Sequence, residues 1–330
     1  MPVLSDVAQI AQVSVSTVSR TFRLDPRISE ETKQKVYEAA RTAGYVKPSR
    51  KDKHHQRDWG CVGLILPEVM SGYYARLVHL AADNFAQRNY SLDIRLTGFE
   101  HDAIIRHVQN LCSSNIDCLM IVIDDSEYLS DVIFSIVSVS CIPTFFITPK
   151  YMPNNDFDSI FIDDQLGVAM LIDYFAQKGF SRIGFVGEQK TLDRRDTFLD
   201  SLKRLDLPAS EDLIKISPLR AEAGGYQATH EILKGTVLPD AIFYGYDQMV
   251  IGGLKAIREA GLSVPNDIAV AGYDDMVVSE YIENGITTVQ SPCEDMIAIA
   301  SRVLLNRLQD SKTAPQHIAL RPKLVIRGTA

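Results

Sequence analysis

Residues 4–23, LSDVAQIAQVSVSTVSRTFR, contain two short helical patterns separated by a tight turn. Ser5 stands where a side-chain oxygen caps a helix, and Asp6 follows in the first turn, where the helix dipole favours a carboxylate. Leu4, Val7, Ala8 and Ala11 recur at helical spacing and give one apolar face. Gln12 and Val13 make the turn, and Ser14 caps a second helix. That helix turns Val18 and Phe22 inward and leaves Val15, Ser16, Ser19, Arg20 and Arg23 pointing out. A short helix presenting small polar side chains and arginines is what a helix-turn-helix lays in the DNA major groove. The plainer expectation is a helical hairpin that only packs on the body. Two capping serines in register and a serine-rich outer face favour DNA. On that reading Val15, Ser16 and Arg20 contact base edges, while Ser5, Ser14, Thr17 and Ser19 serve the backbone side of the interface.

The next stretch, ISEETKQKVYEAARTAGY over residues 28–45, supplies a third helix. Ser29 caps it, Val36, Ala39 and Ala40 continue an inner face, and Gly44 ends it. Residues 46–58, VKPSRKDKHHQRD, are almost wholly polar and read as a basic linker. The charge of the chain is divided accordingly. Residues 1–57 hold 11 Lys+Arg against 6 Asp+Glu, whereas the remainder holds 23 against 36. The overall charge of −8 alone would argue against nucleic acid, but a basic head on an acidic body concentrates phosphate attraction at the outer helix.

A chain of 330 residues exceeds one small core, and no run approaches 18 consecutive apolar residues. The first residues are soon polar, unlike a secretory signal, so the cytoplasm is the expected location. Cys61, Cys112, Cys118, Cys141 and Cys293 are odd in number and scattered, which suits reduced thiols and neither a disulfide framework nor a zinc site. His54-His55 reads as solvated linker. From Cys61 onward short β-branched runs (61–66, 91–96, 118–123, 143–147, then 159–163, 182–186, 241–244, 268–271) alternate with helical patterns. The expected fold class is a helical head on an α/β core of two doubly wound, parallel-sheet lobes, with a ligand cleft beyond the strand C-termini. Strand ends would bring Asp124 and Thr148 to that cleft.

The head resembles the N-terminal domain of the lactose/galactose-repressor (LacI/GalR) family, whose pattern L-x-D-V-A-x-x-A-G-V-S-x-x-T-V-S-R aligns from Leu4 to Arg20 without a gap. In the core, G179-F-x-R-I-G-F-V-G187, D240-A-I-F-Y-G-Y-D-Q-M, V264-P-N-D-I-A-V-A-G-Y-D-D275 and the closing R327-G-T are similar to family motifs. The resemblance implies the fold of periplasmic sugar-binding proteins, with three crossings between lobes. It implies a head at 1–45, a hinge at 46–58 and a core at 59–330, with lobe 1 at about 59–158 and 290–320 and lobe 2 at about 159–289 and 321–330. It also implies a homodimer, operator DNA as partner and a small effector, a sugar or sugar derivative, with a purine or nucleoside as runner-up. By position in its motifs, Arg194, Asp274, Asp247 with Tyr246, and the Tyr73-Tyr74 pair become effector-binding residues.

Two departures stand out. Gln12 replaces the turn glycine, at roughly 1 kcal/mol if the backbone there is left-handed. In the hinge, Lys51 and His54 replace the alanine and leucine, so no apolar wedge for the minor groove remains; Lys47, Arg50 and Lys51 are then expected on phosphates. No dinucleotide or P-loop signature occurs, no cofactor or metal is expected, and catalysis finds no support. The rival from another class is a cytoplasmic sugar-binding protein that binds no DNA.

Overall fold

The computed structural model describes residues 3–22, 27–45, 59–152, 156–282, 284–310 and 313–330. Three helices form the head: α1 (Leu4–Ala11), α2 (Val15–Thr21) and α3 (Glu30–Ala43). Val7, Ala8, Ala11, Val18, Phe22, Val36, Ala39 and Ala40 close into one buried cluster, with Phe22 stacked on Tyr37 and Tyr45. Ser14 Oγ accepts from the Thr17 amide at 3.1 Å and Ser29 Oγ from the Thr32 amide at 3.3 Å, the expected caps. The first helix differs from expectation. Ser5 lies inside it, and the Asp6 carboxylate instead accepts from the Val3 amide at 2.8 Å. Gln12 does take the left-handed conformation, φ 53°, that the missing glycine would have eased.

Among the described residues, the core holds twelve strands in two six-stranded sheets. The first contains β1 (Gly60–Leu66), β2 (Tyr90–Leu96), β3 (Cys118–Val122), β4 (Thr144–Thr148), β5 (Asp158–Ile162) and β11 (His317–Leu320), ordered β11-β5-β4-β3-β1-β2 and parallel throughout. The second contains β6 (Ile183–Glu188), β7 (Ile214–Ser217), β8 (Ala241–Tyr244), β9 (Ala269–Asp274), β10 (Thr287–Gln290) and β12 (Lys323–Val325), ordered β12-β10-β9-β8-β6-β7. There, among the described strands, β12 alone runs antiparallel to its neighbour. Central strands such as β3 and β4 are buried along their whole length, as sheets covered on both faces require.

In lobe 1, α4 (Gly72–Ala86) and α11 (Cys293–Gln309) cover one face, and α5 (His101–Ser113) and α6 (Asp131–Ser140) the other. In lobe 2, α7 (Asp164–Gln177) and α8 (Leu192–Arg204) cover one face, and α9 (Ala221–Leu233) and α10 (Asp247–Glu259) the other. The chain passes between lobes after β5, after β10 and after β11. This corrects the lobe boundary expected at 158/159. β5 belongs to the first sheet, Ser159 facing Phe146 on one side and His317 on the other, so lobe 1 runs on to Ile162. Alternation of strand and helix locates a strand but does not say which sheet it joins. The short edge strand β7, with its Ile-Lys-Ile-Ser alternation, was below the pattern read from the sequence.

Candidate functional site: an exposed recognition helix and an interlobe cavity

The outer face of α2 is open. Val15 is 45 % exposed and Ser16 and Arg20 are exposed, whereas Val18 is fully buried. Ser14 Oγ lies 2.8 Å from both Ser16 Oγ and Thr17 Oγ1, so the three hydroxyls form one network at the start of the helix. Ser19 is half-buried beside them. Lys47, Arg50 and Lys51 lie outside the described residues.

Between the lobes, at the C-terminal ends of both sheets, is a cavity of about 540 Å³. Its lining includes Tyr73, Tyr74, Asp124, Thr148, Arg194, Tyr246 and Asp274, seven of the eight residues expected there. Asp247 is the exception. Its side chain is fully buried behind the wall, with Oδ2 accepting from the Met276 amide (3.1 Å) and Ser279 Oγ (2.6 Å) and Oδ1 accepting from Thr288 Oγ1 (2.6 Å). Burial, against these three donors, raises its pKa to about 7. Asp247 therefore braces the turn at 276–279 and does not face the cavity.

Arg194, on α8, is held on all sides. Its Nε donates to Asp164 Oδ2 at 2.8 Å, Nη1 to the Gly245 carbonyl at 2.7 Å, and Nη2 to Asp274 Oδ1 at 3.5 Å. The guanidinium also lies 3.7 Å over the Tyr273 ring. Burial works against its charge, but Asp164 and Asp274 outweigh that and raise its pKa. Asp274 is raised by burial, with Arg194 opposing, and it also accepts from Ser291 Oγ at 3.0 Å. Its backbone and that of Asp275 have positive φ, 91° and 51°, a strained turn at the end of β9.

Beside this group, Glu188 is almost fully buried and accepts from Arg220 Nε at 3.0 Å and Tyr246 Oη at 3.1 Å. Tyr246 Oη accepts in turn from the Ala221 amide at 2.8 Å. The opposite wall is aromatic. Tyr73 and Tyr74 meet edge to face at 5.2 Å, and Tyr74 and Phe99 at 6.3 Å. Phe99, Asp164, Glu188, Lys190, Arg220 and Ser291 line the cavity without having been singled out from the sequence. Lys190, two residues past the end of β6, occupies the kind of position where site residues gather, and that was the one available signal. Among the described residues no group of His, Cys, Asp and Glu has the arrangement of a metal site. No described helix is long and apolar enough to cross a membrane.

Residues 3–48 match the family model of bacterial regulatory proteins of the lacI family, and residues 172–330 match a periplasmic binding protein-like domain. The chain is 27% identical over 337 residues to the ribose operon repressor of Escherichia coli (strain K12), covering all of both chains. It is 28% identical over 336 residues to the HTH-type transcriptional repressor PurR of Yersinia pestis (strain Pestoides F), covering 99% of this chain and 96% of that one. Among solved structures, the Lac repressor dimer bound to operator and the anti-inducer ONPF has the same fold, with a TM-score of 0.73 and 23% identity over 100% of this chain and 99% of that chain. The chain thus joins a head that matches the lacI family of bacterial regulatory proteins to a periplasmic-binding-protein-like domain, and over its whole length it is similar to these repressors.

Proposed function

We propose that this protein is a cytoplasmic, non-enzymatic repressor of carbohydrate-utilisation genes, acting as a homodimer on a pseudo-palindromic operator and controlled by a sugar-like effector in the interlobe cavity. The observation that carries the effector assignment is the Arg194 clamp, a guanidinium fixed between Asp164, Asp274 and the Gly245 carbonyl beside an aromatic wall. Such a set of alternating donors and acceptors suits vicinal hydroxyls, and an aromatic ring suits the apolar face of a pyranose or furanose. The lining carries eight carboxylates against four cationic side chains, which favours a neutral polyol over a sugar acid or phosphate. A nucleobase is less well served, because the Tyr73–Tyr74 and Tyr74–Phe99 pairs meet at 71° and 66°, so neither pair forms a parallel stacking slot.

Two identical heads reading two half-sites would match the symmetry of the operator. Val277 and Tyr281, each 75% exposed, lie on the turn braced by Asp247 and give lobe 2 an apolar surface for a second copy. Effector binding would shift one lobe on the other and alter head spacing, a coupling typically worth about 1–3 kcal/mol. The division into a head (1–45), a linker (46–58) and a core follows from this reading.

A mobility-shift assay with the DNA flanking the protein's own gene tests the output. Arg20→Ala is expected to cost about 1–3 kcal/mol of operator affinity, and unchanged binding would refute the recognition-helix assignment. Thermal-shift screening of a sugar panel tests the input. Arg194→Ala is expected to abolish the response to whichever sugar stabilises the wild type while operator binding persists. Loss of both together would mean that Arg194 serves only the fold.

A further inference from the structure

Two side chains of lobe 2 reach across the cavity into lobe 1. Lys190 sits on the turn after β6, and its Nζ lies 2.8 Å from Asp124 Oδ2 and 3.8 Å from Asp125 Oδ2, at the end of β3. The ammonium also stands 4.9 Å over the Tyr128 ring and 5.7 Å over the Phe99 ring, both of lobe 1. The Asp124 side chain is only 4% exposed. Arg220, also of lobe 2, places its guanidinium 4.1 Å over the same Phe99 ring. The two cations thus converge on one aromatic ring from the opposite lobe, and a buried carboxylate has its ion partner on the far side of the cleft.

We propose that Lys190 is a tethered occupant of the cavity: it takes the Asp124 carboxylate, holds the two lobes together when no effector is bound, and must be displaced before an effector can reach Asp124. A buried carboxylate is costly to leave unpaired, so opening the cleft is opposed by the loss of this pair as well as of the ring contacts. An effector that engages Asp124 therefore has to bring a donor of its own, a hydroxyl pair or an amine, in place of the ammonium. Lys190 would in this way set the threshold of the response. The consequence for effector entry rests on the cavity being the effector site. The latch itself does not.

Hydrogen–deuterium exchange on the full-length protein, without sugar or DNA, tests it. Lys190→Met is expected to raise amide exchange at least tenfold in residues 97–101 and 124–128 of lobe 1 while leaving β1 and β9 at the wild-type rate. Asp124→Asn should raise exchange reciprocally in residues 188–192 of lobe 2, the double variant should add nothing to either single change, and Lys190→Arg should keep the wild-type pattern. Wild-type exchange in the facing lobe of both single variants, or additive effects in the double variant, overturns the proposal. Because no effector is used, a failed latch leaves the sugar-binding reading intact, and an unresponsive cavity leaves the latch intact. Should Lys190→Met not fold, Asp124→Asn alone still decides, through the exchange of residues 188–192.

Discussion

The two walls of the cavity are built on opposite plans. In lobe 2, Arg194, Asp164 and Asp274 pair with one another, and Glu188 pairs with Arg220 and Tyr246, all within the same lobe. In lobe 1 the wall is the edge-to-face series Tyr73, Tyr74, Phe99 with one carboxylate, Asp124, whose partner belongs to the other lobe. Polar groups already oriented by their neighbours lose little freedom on binding a ligand, so lobe 2 is the preorganised half. Lobe 1 offers shape and apolar surface, and its Asp124 carboxylate finds its ion partner in the other lobe.

The sharpest division is within lobe 2 itself, between the wall and Asp247 behind it. A carboxyl whose folded pKa is raised to about 7, against an ordinary value of 3.8, binds its proton more tightly when folded. Its contribution is therefore fully present below about pH 4 and is lost as pH rises through 7, at up to about 1.4 kcal/mol per unit and roughly 4 kcal/mol in all. Denaturant titrations from pH 4.5 to 8 should show this loss in the wild type and a flatter profile in Asp247→Asn, with effector affinity unchanged. An equal slope in both proteins would remove the distinction.

Next in size is the clamp. Arg194→Ala strands two carboxylates and is expected to lower unfolding free energy by about 3 kcal/mol. A change below about 1 kcal/mol would mean that lobe 2 is not preassembled. The smallest effect is expected across the cleft. No hydrogen bond ties Tyr74 Oη to the protein among the described contacts, so Tyr74→Phe should leave stability within about 0.5 kcal/mol. Effector affinity should nevertheless fall, by about 1 kcal/mol if the hydroxyl meets the ligand. A stability loss as large as that of Arg194→Ala would show both walls to be equally self-supporting.

What could be read from the sequence follows the range of the interactions involved. The caps of α2 and α3 are bonds between residues three apart, and both were legible. Ser5 was misplaced because it adjoins Asp6, and only the backbone shows which of the two faces a free amide. Strands announced themselves by apolar runs, but nothing in an apolar run says that β5 pairs with β4 before it and with β11, more than 150 residues later, instead of opening the second sheet. The cavity was legible where motif residues carry it, in Arg194 and Asp274. It was not legible for Lys190 and Arg220, whose meaning comes from Asp124 and Phe99 in the other lobe.

Residues 246 and 247 are chain neighbours that face different tasks. Tyr246 looks into the cavity, whereas Asp247 secures the turn that displays Val277 and Tyr281. A Cβ on Gly272 would run into the Asp247 carboxylate, so those two positions constrain each other. Tyr246 carries no such constraint from the turn. Divergence can therefore act unevenly along this one dipeptide: a change at Tyr246 is felt by Glu188 and the Ala221 amide at the cavity wall, whereas a change at Asp247 is felt by the turn and by a distant glycine. On the proposed function, a substitution at Tyr246 would alter effector preference and leave the turn that carries Val277 and Tyr281 in place.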